Sequence, residues 1–382
     1  MKKSRRYLLL LVALAAVGYF AYKFRNAITL EGFRWGMVAA SLRHSRLSFL
    51  LLGIAVIYVC FAIRALRWMR FCRWLGPTKF WNVYGATLMG FTCVFLLGRA
   101  GEPIRPVLIA RKDSLSMPGM FGVYVLERIS DAMAALVLAG CALLMLQHGS
   151  LAGWAGQSAE GPAEASIVKI ARSTGVVLLV GLVGAIAFLV YFRYHGAGWL
   201  GRKLHDSKWR HGWRGKVVAL LEGFIEGLQG IRTWGDLGAL AGYTAIHWAL
   251  VAVVYELVTH AFGGRLGQLS FGAVILVLAF TLVGSAVQLP GVGGGAQLAT
   301  FLVLTLVLGV EKEPAATAAI ILWLVAFASC CFAGLPLLFR EGWSMGELRR
   351  MAQAEEQAGE AELLAEAEHA TDSRAAAKEL PQ

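Results

Sequence analysis

The feature that most constrains this chain is the recurrence of apolar runs about as long as a bilayer is thick, such as "LSFLLLGIAVIYVCFAIRAL" starting at Leu47. Inside lipid, a helix satisfies every backbone N–H and C=O within the segment itself. Crossing the ~30 Å hydrocarbon core takes ~20 residues of helix. Such runs occur at 7–22, 47–66, 120–146, 167–192, 237–262, 270–289, 296–310 and 315–339. They predict an all-α, polytopic membrane helix bundle of about 8 spans. Composition agrees: 58% of residues are hydrophobic and 16% charged, with a mean hydropathy of +0.62.

Charge sets the expected orientation, because basic residues collect in cytoplasmic loops. Lys2, Lys3, Arg5 and Arg6 place the amino end inside, ahead of a first helix expected to remain uncleaved. Residues 147–166 carry no Lys or Arg and read as external. Residues 193–216 carry seven Lys and Arg against one Asp and read as cytoplasmic. Arg340, Arg349 and Arg350 place the carboxyl end inside as well, whereas 23–46, with five basic residues, falls outside against the trend. Arg64, Arg67, Arg70 and Arg73 recur at spacings of three, so they share roughly one helix face and are expected to snorkel to headgroups beside Trp68 and Trp74. The net charge of +12 therefore reads as topology and anionic-lipid contact through 193–216, not as nucleic-acid binding. A cell inner membrane location follows. Residues 1–346 form the expected membrane domain and 347–382 an Ala/Glu-rich cytoplasmic tail.

Against this frame, "GRAGEPIRP" at 98–106 places three charges, two prolines and two glycines directly behind an apolar run. If 82–97 crossed fully, every later loop would invert, leaving the basic 193–216 loop outside. A re-entrant segment avoids this, and non-helical backbone at membrane depth requires cover by protein or a water-filled cavity. A second break, "QLPGVGGGAQ" at 288–297, contains Pro290, Gly291, Gly293, Gly294, Gly295 and Gln297 and reads as a cavity or hinge element. One Gly/Pro-broken apolar segment in each half points to the central site of a transporter.

The densest polar constellation is Arg99, Glu102, Arg105, Glu127, Arg128 and Asp131. Glu127 and Asp131 are four apart and share a helix face. Arginine forks suit phosphate, and nearby carboxylates would position them when no ligand is bound. A structural ion-pair cluster is the competing reading. His247 and Glu256 are candidate relay residues, since ionisable groups within a span are functional candidates by default. The six cysteines lie mostly in apolar runs without CxxC spacing, so neither metal nor cofactor is expected. No P-loop, GxSxG or HExxH motif occurs, so no catalytic residue is assigned.

The combination of "GRAGEPIRP", "VLERISD" and a late "LPGVGGG" over residues 5–340 resembles the lysylphosphatidylglycerol synthase transmembrane region, a flippase-like domain family. The resemblance implies handling of a membrane lipid substrate, with Glu102, Arg105, Glu127, Arg128 and Asp131 matching the family's polar motif. It also marks two departures. Gln297 stands where the late motif usually continues to a Glu, and Trp323 lies near a position that often carries an Arg. The expected function is translocation of a phospholipid or lipid-linked headgroup between leaflets. The alternatives are an integral membrane enzyme or an accessory partner of an envelope biosynthetic enzyme.

Overall fold

The computed structural model describes residues 35–147, 184, 233–285, 288–289 and 293–342. The expected spans 7–22 and, but for one residue, 167–192 lie outside the described residues, as do the 193–216 loop, the tail, Pro290 and Gly291.

The described part is helical apart from one two-residue ladder. A short helix α1 (Trp35–Arg43) precedes α2 (Leu47–Cys72). Then come α3 (Phe80–Leu97), α4 (Ile104–Asp113), α5 (Met117–Gln147) and α6 (Trp234–Ala261). The later elements are α7 (Phe271–Gly284), α8 (Gly295–Leu302) with a π turn to Val307, α9 (Lys312–Ala326) and α10 (Cys331–Arg340). Among the described residues, four stretches are long and apolar enough to cross a membrane: Leu47–Cys72, Phe80–Gly101, Trp234–Ala261 and Lys312–Arg340. Several ends follow from local chemistry. Thr233 and Asp236 form a reciprocal capping box that starts α6, with the Thr233 hydroxyl accepting from the Asp236 N–H at 3.1 Å and the Asp236 carboxylate accepting from the Thr233 N–H at 3.0 Å.

The segment 80–113 is a helical hairpin. Gly98 turns the chain with φ 68°, a conformation that costs glycine little. Gly101 then packs so tightly on α3 that a Cβ would lie 2.4 Å from the Cys93 carbonyl. Arg105 lies against Gly90, and at the open end the Asn82 amide donates to Asp113 at 2.6 Å while the Lys79 N–H donates to the same carboxylate at 3.4 Å. The chain therefore leaves this hairpin where it entered. The turn 98–103 lies at the tip, away from the end formed by Lys79 and Asp113.

Residues 271–307 form a second hairpin. The apolar runs at 270–289 and 296–310 are compatible in sequence with either spanning or re-entrant segments. In the structure α7 and α8 with its π turn, of 14 and 13 residues, lie antiparallel. Each is only about 20 Å long, short of the ~30 Å hydrocarbon core. The reversal is built by β1 (Gln288–Leu289) pairing antiparallel with β2 (Gly293–Gly294). A Cβ on Gly284 would come within 2.3 Å of the Gly295 carbonyl oxygen, so a glycine is what lets the two arms meet. Thr281 and Thr300 link the arms through a 2.6 Å hydroxyl–hydroxyl bond. The hairpins also touch each other, because the Arg99 guanidinium donates to the Ser285 carbonyl at 2.9 Å.

Two apolar cores support this arrangement. One joins the first half of α2 with α6, α7 and α9, through residues such as Phe61, Val254, Leu276 and Leu322. The other joins the second half of α2 with the first hairpin and α5, through Trp68, Met89, Ile109 and Met120. Arg64 and Arg67 sit on α2 between Phe61 and Trp68, where one core gives way to the other. The last expected span, 315–339, falls within the stretch Lys312–Arg340, which bends at Phe327 (φ −127°, ψ −56°) between α9 and α10.

A cationic cavity between two helical hairpins

A cavity of about 520 Å³ lies between the hairpins and is walled by α2, α5, α6 and α9. Its charged side is built from α2, α5 and the tip of the first hairpin. Glu127, fully buried, accepts from Arg67 at 2.9 Å and pairs with Arg105, with Arg64 at 3.5 Å and with Arg128 at 3.4 Å. Asp131, one helical turn on, binds Arg67 at 2.8 Å, Arg64 at 3.4 Å and Arg128 at 3.3 Å. Glu102 accepts from the Tyr124 hydroxyl and lies 3.6 Å from Arg99 and 3.7 Å from Arg128. The expected constellation of Arg99, Glu102, Arg105, Glu127, Arg128 and Asp131 is thus brought together around one cavity.

The cluster differs from expectation in one respect. Arg64 and Arg67 do not snorkel: they are 7% and 0% exposed and turn inward onto Glu127 and Asp131. Trp68 is buried too, beneath the Arg105 guanidinium at 4.3 Å from its ring centroid. Two carboxylates at helix spacing on α5 meet two arginines at matching spacing on α2, so both pairs leave the apolar environment together. Further along α2, Arg70 and Arg73 bind Asp236 at 2.8 and 3.1 Å and join its end to the start of α6. The α5 carboxylate pair was the available signal, since two buried acids on one face demand cations from a neighbour.

Five guanidiniums (Arg64, Arg67, Arg99, Arg105, Arg128) therefore face three carboxylates (Glu102, Glu127, Asp131), an excess of two positive charges among the described residues. The Nη1 of buried Arg105 has no hydrogen-bond partner. Arg105 lines the cavity, but this donor is itself covered by protein.

His247 lines the cavity and lies 3.0 Å from the Arg64 Nη2. Because a guanidinium only donates, His247 accepts through Nε2 and carries its proton on Nδ1. Glu256 lies nine residues further along α6, away from the cavity, where it pairs with His260 at 3.5 Å. The structure thus separates the two candidate relay residues. In the second break, Gln297 lines the cavity and its side-chain oxygen accepts from the Gly294 N–H. Gly294 and Gly295 supply the turn into α8.

The remaining lining is aromatic and uncharged, and it begins beneath the arginines, with Arg64 and Arg105 lying 5.0 and 5.6 Å from the Phe91 ring centroid. Phe91, Trp323 and Phe327 belong to it, with Phe91 and Phe327 ring centroids 6.4 Å apart and Trp323 and Phe327 6.3 Å apart. Sequence periodicity did not single these residues out, because aromatic residues within a span pack against lipid and protein alike.

Apolar spanning helices that enclose a cavity lined by arginines and by aromatic rings define a multi-pass membrane protein with an amphiphilic internal site. The family described as the lysylphosphatidylglycerol synthase TM region matches residues 7–334, and the chain belongs to that family. Searches of curated proteins and of solved structures returned no match.

Proposed function

We propose that this chain moves a phospholipid or lipid-linked headgroup between leaflets of the cell inner membrane. The observation that carries this reading is the amphiphilic cavity. A phosphate-bearing headgroup fits the arginines, and hydrocarbon fits the aromatic lining and the surrounding bilayer. Family membership supports a role in lipid or envelope processes. The hairpin 80–113 starts and ends at one place, which supports a re-entrant element whose charged tip reaches membrane depth under protein cover. The enzyme alternative needs a carboxylate able to exchange protons with substrate, and both Glu127 and Asp131 are instead held by several arginines.

The test is reconstitution of the purified protein into vesicles carrying headgroup-labelled lipid. The wild type moves the lipid to the other leaflet chemically unchanged, and Arg105→Ala and Glu102→Ala abolish the exchange at normal expression. Wild-type rates in either variant would refute this site. A modified lipid in the mass spectrum would favour the enzyme reading instead.

A further inference from the structure

Resting on the proposed lipid site, we infer that the cavity selects its ligand by charge: it takes a phosphate ester on a hydrocarbon chain that carries no cationic group. Arg64, Arg99, Arg105 and Arg128 line the cavity against only two lining carboxylates, Glu102 and Asp131. Arg67 and Glu127 stand behind the wall as a matched pair at 2.9 Å. Among the described residues the lining is therefore two charges positive. A phosphate with a net charge of one or two negative neutralises this excess.

The uncharged wall determines what the rest of the headgroup can be. The second hairpin and α9 present Thr281, Ser285, Gln297, Thr300 and Trp323, none of them charged. The two lining carboxylates are already held by arginines. An ammonium group would enter a cavity that is net-positive among the described residues and would have to compete with arginines for its two carboxylates, at a cost in affinity that low dielectric enlarges. A lysylated headgroup, with two ammonium groups, is the worst fit. Gln297 and Trp323 both line the cavity here. Headgroups of neutral polar character, such as glycerol or a sugar, suit the hydroxyls and amide found there.

The experiment measures equilibrium binding to the full-length protein in a nonionic detergent. The probes are dihexanoyl phosphatidylglycerol, its lysyl ester, farnesyl phosphate and inorganic phosphate. One or both anionic amphiphiles should bind at least about tenfold more tightly than the lysyl ester. The tighter of the two identifies the source as glycerophospholipid or polyprenyl phosphate. Gln297→Glu keeps the acceptor for the Gly294 N–H and adds one negative charge to the neutral wall, so it should narrow the preference by about threefold or more. Equal or tighter binding of the lysyl ester, or an unchanged ratio in Gln297→Glu, overturns charge selection. Inorganic phosphate binding as tightly as both amphiphiles overturns the lipid source. Because binding needs no transport, charge-selective binding without leaflet exchange refutes the translocator and leaves this inference standing. Equal exchange of lysylated and unmodified lipid does the reverse.

Discussion

Substituting Glu127 by Gln tests whether the cluster holds together by charge compensation. The change is isosteric, so packing is preserved while one buried negative charge is removed. Arg67 keeps Asp131 at 2.8 Å, and Arg64 keeps the same carboxylate at 3.4 Å. Arg105 does not: its carboxylate partner among the described residues is Glu127, and its side chain is only 5% exposed. The loss therefore falls mainly on Arg105, as an uncompensated buried guanidinium. Breaking a buried pair by removing one partner costs about 3–5 kcal/mol. The Gln oxygen still accepts one bond, so about 3 kcal/mol is expected. Replacing Arg105 as well, in Glu127→Gln/Arg105→Met, removes the orphaned charge and should recover about 2 kcal/mol of that cost. Asp131→Asn should cost less than Glu127→Gln, because Arg64 and Arg67 both still reach Glu127. Unfolding of the purified protein in detergent measures all of these. If the Glu127 and Arg105 substitutions prove additive to within about 0.5 kcal/mol, the compensation argument is wrong.

Three further outcomes follow from the same geometry. Gly101→Ala should prevent the first hairpin from closing, at a cost of about 3 kcal/mol or more, because the backbone of Cys93 and Val94 cannot rotate away from the new methyl group. Gly140→Ala, with nothing within 4 Å of the added carbon, serves as the control and should be neutral or slightly stabilising by the same thermal measurement. Cysteines introduced at 79 and 111, both exposed near the open end of the hairpin, should react with an impermeant maleimide from the same side of the membrane; labelling from opposite sides would rule out a re-entrant hairpin. Asp236→Ala removes the α6 capping box together with the partner of Arg70 and Arg73. It should cost about 2 kcal/mol, and a shift no larger than that of a surface alanine would contradict the capping role.

How much of this was legible beforehand differs from element to element. The 3.6-residue period placed Glu127 and Asp131 on one face of α5, and the structure agrees. The glycines and prolines at 98–106 and 288–297 marked both turns, because backbone punctuation is local and needs no partner to be read. Whether the segments 270–289 and 296–310 span or re-enter was not legible, because hydropathy reports lipid compatibility, and a protein-covered hairpin arm is as apolar as a spanning helix. The sequence did not say which partner covers the tip at 98–103. The structure sets it at the far end of the hairpin from Lys79 and Asp113, in contact with Ser285.

The sequence by itself therefore determined the class of protein, the broken segments and the spacing of the buried acids. Each is written in composition or in residues close along the chain. Only the tertiary structure decided that Arg64 and Arg67 turn inward, that Arg99 reaches the second hairpin 186 positions away, and that Gln297 and Trp323 share the uncharged wall. An arginine in an apolar helix escapes lipid either by reaching the headgroups or by pairing with a buried carboxylate. Both routes look the same in one strand of sequence, and which one it takes depends on the helix that packs beside it.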